Sequence, residues 1–240
     1  MADWAPKRFW SSVTVTVVDG GYGIALDDKP VNTPSKTRLI LPTRGLADLI
    51  AAEWDAQQGK VDPRTMPATR AANSALDKVR PQQAEVAELI AAYGASDYLC
   101  YRATSPDALI TRQAQLLDPV LDWAAEVLNA RLITGPGVVP IAQNPAVIAT
   151  LRQRVQQFDH FQLTGFHDLV SLSGSLILGF AVALRRHSPE QVWQLSRIDE
   201  DWQAEHWGAD DEAAAHAALK RAAFLDAARF FWLCSWAPAV

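Results

Sequence analysis

The hydrophobic and polar positions of the chain change their period once. Between residues 9 and 41 the period is two, because Val13, Val15 and Val17 alternate with hydroxyl side chains, and this alternation is typical of a strand with one buried face. Residues 19–21 and 27–30 carry turn-forming Asp, Gly and Pro, and they separate the first strand from a second over residues 22–26 and at least one more over 36–41. The segment therefore predicts an antiparallel meander.

After Pro42 the period becomes helical. Large side chains fall at i, i+3, i+4, i+7 and i+8 from residue 46 to residue 54, with Thr43 as the N-cap. A further helix is predicted over residues 68–79. One helix packed on a small sheet makes an α+β domain, which we place at residues 1–80.

From Pro81 onward the pattern is helical almost throughout. Helices are predicted from residue 81 to about 93, from 109 to 117 and on beyond Pro119, from 145 to 158 with Asn144 as N-cap, from 169 to 184, from 189 to 207 with Ser188 as N-cap, and from 210 to about 232. Residues 98–101 and 138–141 are candidates for short strands. The expected fold class is α+β: a small, mostly antiparallel sheet-plus-helix domain, then a larger all-α helical-bundle domain at residues 81–240.

Composition narrows the classes of function. Of 240 residues, 49% are hydrophobic and 20% are charged, which is typical of a globular protein with one or two cores. The formal net charge of -5 disfavours nucleic acid as a partner, because phosphate binding needs a concentrated positive field. No membrane insertion is expected, since the uncharged run 169–184 is shorter than the ~20 residues of a span. Residues 1–8 contain no export or import signal, so we expect a cytoplasmic protein.

Motifs for common catalytic chemistry are absent from the sequence. It contains no GxxxxGK[ST] phosphate loop, no GxGxxG after a strand, no HExxH and no GxSxG. Cys100 and Cys234 form no CxxC pair, and we expect both to be buried free thiols. We predict no catalytic residue, no metal, no cofactor and no small-molecule substrate.

Histidine and glutamate supply the remaining candidate chemistry. His160 and His167 are seven residues apart, but Gly165 makes one continuous helix doubtful, and no carboxylate or cysteine completes a ligand set. Glu205 and His206 form the best acid/base cluster. A small hydrolase or metal-dependent enzyme that uses the Glu205/His206 region is the alternative function.

Residues 198–208 place four carboxylates and two tryptophans on about three helical turns before a glycine. Helical spacing puts Asp199, Gln203 and Trp207 near one face, with Glu200 beside them. Acids and aromatics presented together indicate a binding surface, and these four residues are the predicted partner-binding site. The alternative is structural, with Trp202 in the core and the carboxylates on a solvated face.

A series of different short motifs is distributed over most of the chain. They are Arg8-Phe9-Trp10, residues 26–34 (Leu-Asp-Asp-Lys-Pro-Val-Asn-Thr-Pro), Leu41-Pro42-Thr43, Leu46-Ala47, residues 53–57 (Glu-Trp-Asp-Ala-Gln), Met66-Pro67-Ala68-Thr69, Asp97-Tyr98-Leu99, Tyr101-Arg102, Gln115, Asp118-Pro119, Gly174-Ser175 and residues 199–208. In their order and spacing they resemble the family of assembly chaperones for the F1 sector of ATP synthase, which binds the free alpha subunit before the alpha-beta ring closes.

The resemblance implies a non-enzymatic protein with a small α+β domain and a larger helical domain. Its partner would be the F1 alpha subunit, whose beta-contacting surface it would shield until beta displaces it. Glu200 matches the position of an acidic residue important for partner contact in the family, and an intramolecular cap or salt bridge is its alternative role. The motif at Arg8 begins almost at once, which fits a bacterial cytoplasmic member, since mitochondrial members would carry a presequence.

Overall fold

The computed structural model describes residues 7–208 and 210–234, and the chain forms two compact units. Among the described residues, the sheet unit contains residues 7–83, His160–Gly165 and residues 229–234. The helical unit contains Ala84–Asp159 and Phe166–Ala228. The division of the chain into domains at residues 1–80 and 81–240 stays a prediction.

The sheet unit begins with an antiparallel hairpin. Strand β1 (Val13–Val18) pairs with β2 (Gly21–Leu26) along its whole length. Two short strands, β3 (Lys29–Pro30) and β4 (Ile40–Leu41), also pair antiparallel with β2. Because β1 occupies one edge of β2, the two short strands lie along the other edge.

Three details of the sheet differ from the sequence prediction. Lys29 and Pro30 form β3 rather than part of a turn, because Asp27 and Asp28 make the turn alone with positive φ angles of 46° and 66°. The strand expected over residues 36–41 is confined to Ile40–Leu41, since a turn with Thr33 and Thr37 hydrogen-bonded at 2.7 Å precedes it. Val17 is 81% exposed although it continues the alternation, because it lies beside the hairpin turn.

Helix α1 (Arg44–Asp55) packs against the hairpin. Thr43 is its N-cap, as predicted, and the Thr43 hydroxyl accepts a hydrogen bond from the backbone N–H of Leu46. The core around this helix also receives residues from distant parts of the sequence: Phe161, Phe230 and Cys234. Hydrophobic burial therefore joins the helical segments that carry these three residues to the small sheet.

Glu53 is a buried carboxylate that starts the second helix. Helix α2 (Pro67–Ser74) continues through a π-helical turn, Ala75–Val79, and has no side-chain cap of its own. The Glu53 carboxylate, 9% exposed, instead accepts hydrogen bonds of 2.7 Å from the N–H groups of Ala68 and Thr69 and from the Thr69 hydroxyl. A side chain of α1 thus satisfies the free donors at the start of α2.

The remaining described helices carry most of the helical unit. They are α3 (Gln83–Ala91), α4 (Asp107–Val127), α5 (Pro145–Gln156), α6 (His160–Ser173), α7 (Leu176–Ala183), α8 (Pro189–Leu195), α9 (Ile198–Trp207) and α10 (Asp211–Cys234), with short 3-10 turns at Pro63–Thr65, Arg80–Gln82, Ala92–Ser96 and Tyr98–Cys100. Strands β5 (Tyr101–Arg102) and β6 (Gly135–Pro136) form a parallel pair. This arrangement confirms the predicted α+β class.

Two segments predicted as single helices are each divided. The apolar run 169–184 breaks at Gly174, which has a φ of +69°, and Ser175 then caps α7 by accepting a hydrogen bond from Leu178 N–H at 3.0 Å. The run 189–207 breaks at Ser196, whose hydroxyl donates to the Trp193 carbonyl at 2.8 Å. In both cases a side-chain hydroxyl competes for backbone groups that a continuous helix would pair.

Other sequence predictions for the helical unit are mixed. Asn144 caps α5 as predicted, with a 2.9 Å bond from Ala146 N–H. Leu89, expected on an apolar stripe, is 69% exposed. The second short strand lies at 135–136 rather than at 138–141, and Val138 and Val139 are 89% and 72% exposed.

The two cysteines and the apolar helices have defined roles as core elements. Cys100 and Cys234 are free and buried, as expected. Within residues 7–208 and 210–234, the helices are all too short or too polar to cross a membrane. Helix α7 is buried along residues 176–182, so its apolar side chains form core contacts inside the helical unit.

Asp97 is fully buried in the helical unit and joins two distant segments. Its carboxylate accepts hydrogen bonds of 3.0 Å from Leu99 N–H and from Ile177 N–H. Burial raises the pKa of Asp97 from its ordinary 3.8 to about 6, although these hydrogen bonds favour the charged form. The carboxyl therefore fixes the start of α7 beside the turn at residues 98–100.

We predict that Glu53→Ala lowers the free energy of unfolding by about 2 to 4 kcal/mol, because three donors lose their acceptor inside the sheet unit. Urea unfolding followed by tryptophan fluorescence measures the loss. Glu85→Ala, at an exposed position of α3, is the control and should change the stability by less than about 0.5 kcal/mol. Equal effects of the two substitutions would contradict the role given to Glu53.

We also predict a pH-dependent difference between the wild type and Asp97→Asn. Because the pKa of Asp97 is higher in the folded chain, its contribution to stability is fully present below pH 3.8 and is lost as the pH rises through about 6. Relative to the Asn variant, the wild type should lose up to about 3 kcal/mol between pH 4 and pH 7. Urea unfolding at both pH values measures the two stabilities. An equal change in the free energy of unfolding of the two proteins between pH 4 and pH 7 would refute the prediction.

Candidate partner-binding site

Helix α9 carries the predicted site and is attached to the helical unit along one side. Ile198 is 2% exposed and Trp202 is half-buried, with the guanidinium of Arg112 5.9 Å from the centre of the Trp202 ring. The first turn contains three acidic residues: Asp199, Glu200 and Asp201. Negative charge at a helix N-terminus is stabilised by the helix dipole, so this turn tolerates its carboxylates without a side-chain cap.

Asp199 lies where α9 meets α4. Its carboxylate accepts a 2.6 Å hydrogen bond from the side-chain amide of Gln113, which is 1% exposed. The other end of that amide accepts a 2.8 Å bond from Ala103 N–H. Asp199 is therefore half-buried and tied to a polar group that is itself satisfied on both sides.

Glu200 forms an ion pair with Arg197 one turn earlier, at 2.9 Å. The Glu200 side chain is nevertheless 49% exposed, whereas that of Arg197 is 24% exposed. An exposed pair at this spacing contributes only about 0.3 to 0.5 kcal/mol. The contact is thus weak enough for the Glu200 carboxylate to exchange it for a group on a partner.

Gln203 and Trp207 follow Asp199 at intervals of four on the continuous helix α9, so the three residues share a face, as predicted. Both side chains are exposed, and Trp207 is 78% exposed. Gly208 ends the helix with a φ of +92° and donates its N–H to the Ala204 carbonyl. The helix therefore ends on a tryptophan that lies almost wholly in solvent.

The Glu205/His206 region, the alternative enzymatic site, has a different arrangement. Both carboxylate oxygens of Glu205 accept hydrogen bonds from Arg112, at 2.5 and 2.9 Å, and this pairing lowers the pKa of Glu205 and raises the pKa of Arg112. The His206 ring stacks on Trp202 at 4.0 Å, and its Nδ1 lies 2.9 Å from the Trp202 carbonyl oxygen. Each group is thus engaged in holding α9 rather than aimed at a common point.

His160 and His167 are the two histidines whose spacing raises the question of metal binding. His160 and His167 lie on the same helix, α6, so the break expected near Gly165 does not occur. His167 Nδ1 is 2.9 Å from the Asp168 carboxylate, and this hydrogen bond raises the pKa of His167. Among the residues that the structure describes, no group of three His, Cys, Asp or Glu side chains could hold a metal ion.

Several motifs that are distant in sequence meet beside α9. Tyr98 N–H donates to the Gly174 carbonyl at 3.1 Å, and Arg102 pairs with Asp118 at 2.8 Å. Burial and then the negative charge of Asp199 raise the pKa of Tyr98 well above its ordinary value. The Asp97–Arg102 segment therefore contributes to the electrostatic surroundings of the predicted site.

Sequence reasoning from periodicity missed the residues that hold α9 in place. Gln113 occupies a core position of α4, whose buried members follow helical spacing from Leu109 through Leu117 to Ala124. A polar residue at such a position is a usable signal, because a buried amide needs a partner. Arg112, beside it, carries no comparable signal, because an arginine on a helix is usually solvated.

Comparisons with known proteins identify the family of the chain. The family model described as ATP12 chaperone protein matches residues 7–125. The crystal structure of Atp12 from Paracoccus denitrificans is 49% identical, covers 95% of this chain and 98% of its own, and superposes with a TM-score of 0.93. The crystal structure of the Atu1473 protein from Agrobacterium tumefaciens is 42% identical, with 96% and 87% of the two chains covered and a TM-score of 0.91.

The similarity extends to a eukaryotic protein. The mitochondrial atp12 protein of Schizosaccharomyces pombe is 24% identical over 222 residues, which are 86% of this chain and 75% of that protein. The order of motifs, the α+β fold and the near-complete overlap with a solved Atp12 lead to one conclusion. The chain belongs to the ATP12 chaperone family and is an assembly chaperone of the F1 sector of ATP synthase.

Proposed function

We propose that the chain binds the unassembled alpha subunit of F1, shields the surface that will contact beta, and releases it when beta arrives. The observation that carries the proposal is the outer face of α9, where a 78% exposed tryptophan follows a half-exposed glutamate and an exposed glutamine. Tryptophan is enriched in protein interfaces, and polar and charged groups surround such anchors at the rim. The proposed contact residues are Glu200, Asp199, Gln203 and Trp207.

The physical need for such a protein follows from subunit assembly. A free alpha subunit exposes the surface that beta later covers, and a large uncovered apolar patch is an aggregation hazard. A chaperone must cover that surface and still leave it. A contact built on an exposed ion pair and one aromatic residue suits this task, because beta can displace it by competition without any catalytic step.

The proposal also assigns a role to each side chain. Glu200 exchanges its weak pair with Arg197 for a basic or amide group on the alpha subunit. Trp207 supplies apolar contact area. Gln203, which lies between Glu200 and Trp207 on α9, supplies hydrogen bonds to the alpha subunit. Asp199, held by Gln113, lies at the edge of this surface and keeps α9 in register. We propose that the protein acts in the bacterial cytoplasm, where its free thiols would stay reduced.

The first test is co-purification of the tagged chain with separately expressed alpha and beta subunits. We expect a soluble complex with alpha alone, and a loss of at least about tenfold in affinity for Glu200→Lys, because reversing a charge that meets a basic group costs more than ~1.4 kcal/mol. Isothermal titration calorimetry gives the affinity.

Glu126→Lys is the matched control, since it makes the same charge change at an exposed position of α4. Circular dichroism should show both variants folded. If the wild type retained neither subunit, or retained beta in preference, the proposed partner would be wrong. If Glu126→Lys weakened binding as much as Glu200→Lys, net charge rather than α9 would explain the effect.

A second prediction concerns Trp207. Trp207→Ala should leave the free energy of unfolding within about 0.5 kcal/mol of the wild type, because the side chain is largely solvated. Affinity for the alpha subunit should fall about tenfold or more, since tryptophans often dominate interface energy. Trp207→Phe should retain most of the affinity. A marked loss of stability in Trp207→Ala would show that the residue is structural instead.

A further inference from the structure

A groove with a volume of about 490 Å³ lies in the helical unit between α4, α8 and α9. Val120 and Ile198, which are 1% and 2% exposed, contribute its buried apolar floor. Leu116 also lines it and is 42% exposed, although a large apolar side chain gains free energy when it leaves water. The groove therefore offers apolar area that this chain leaves partly uncovered.

The polar lining of the groove suits a polypeptide. Gln115 on α4 and Gln194 on α8 are exposed, and neither side chain bonds to another group in the described part of the chain. A side-chain amide offers both a donor and an acceptor, which matches the N–H and C=O groups of a peptide backbone. A peptide segment in the groove can therefore bury an apolar side chain against the floor and pair its backbone groups with the amides at the rim.

Charge at the groove selects the kind of segment. Arg112 lines the groove, but Glu205 binds its guanidinium through two hydrogen bonds and offsets its charge. Burial lowers the pKa of His187 below its ordinary 6.5, so this ring is mostly neutral at pH 7. Asp201 is exposed, and in the described residues its carboxylate forms no ion pair within 4.0 Å. The lining is therefore negative overall.

We infer that this groove receives a segment of the F1 alpha subunit that places an apolar side chain against Leu116 and a lysine or arginine against Asp201. The inference rests on the proposed function and extends the contact from the outer face of α9 to its opposite edge, onto α4 and α8. In such a segment the apolar residue contacts the apolar floor of the groove, and the basic residue beside it pairs with the exposed carboxylate of Asp201. The enclosed floor excludes water from the apolar contact, and the exposed carboxylate guides the basic group toward it.

Calorimetric titration of the full chain with purified alpha subunit tests this inference. Leu116→Arg places bulk and positive charge in the groove and should weaken binding by about tenfold or more. Asp201→Asn removes only the charge and should weaken binding by about threefold to tenfold at low salt, with a smaller loss at high salt. Thermal unfolding checks that both variants are folded, and Asp201→Asn tests the site even if Leu116→Arg is destabilised.

Two matched controls separate the groove from general surface effects. Leu89→Arg makes the same change at an exposed leucine of α3, and Asp122→Asn makes the same change at an exposed aspartate of α4; neither residue lines the groove. Both controls should bind alpha like the wild type. Groove variants that bind as tightly as these controls would overturn the inference and leave the proposed function intact.

Two further outcomes would also overturn it. If the wild type bound no alpha subunit, the proposed function and the groove assignment would fail together. If analytical ultracentrifugation showed a wild-type dimer that Leu116→Arg dissociates, while alpha binding stayed unchanged, the occupant would be a second copy of this chain.

Discussion

Asp97 is a buried carboxylate that holds two distant segments of the helical unit together. Its oxygens accept backbone hydrogen bonds from the turn that follows it and from the start of α7, nearly eighty residues later in the sequence. Helical structure is interrupted just before each of these two donors, and the Asp97 carboxylate satisfies the backbone N–H groups that the interruptions leave unpaired. The same hydrogen bonds also fix the next residue, Tyr98, whose N–H reaches the Gly174 carbonyl and whose ring lies within the field of Asp199 and Glu200. Burying a charged carboxylate is costly, and here its hydrogen bonds to two distant segments offset part of that cost.

The carboxylates of α9 divide into those that hold the helix and those that remain available. Glu205 binds Arg112 with both oxygens, and Asp199 accepts from the buried amide of Gln113, so these two attach α9 to α4. Glu200 forms a half-exposed pair with Arg197, and Asp201 lies at the edge of the groove, where its charge adds to the Glu205 hydrogen bonds in raising the pKa of Arg112. The contacts of Glu205 and Asp199 are thus internal to the helical unit, whereas the carboxylates of Glu200 and Asp201 are exposed and only weakly paired.

The sheet unit uses the same physical device as the helical unit. Glu53 in α1 accepts three hydrogen bonds at the start of α2, and Asp97 accepts one from Ile177 N–H at the start of α7. In both units a carboxylate from one element satisfies the free N–H groups of another, and this fixes the angle at which the chain turns. The motifs that resemble the chaperone family include both residues, which explains why short and scattered sequence fragments can identify a fold.

The sequence by itself determined the elements whose signals are local. The period-two valines predict β1, Thr43 and Asn144 predict helix starts, Gly208 predicts the end of α9, and the spacing of Asp199, Gln203 and Trp207 predicts a shared face, because each depends on dihedral preference and nearest-turn geometry alone. The change of hydrophobic period predicted the fold class, and the family motifs predicted the chaperone role.

Only the tertiary structure decided that the two segments predicted as single helices, 169–184 and 189–207, would break near the hydroxyl groups of Ser175 and Ser196. It alone brought Gln113 under Asp199, Arg112 onto Glu205, and the sides of α4, α8 and α9 around one groove. These features arise from pairing between residues up to ninety-three positions apart, and a periodic pattern carries no information on such partners.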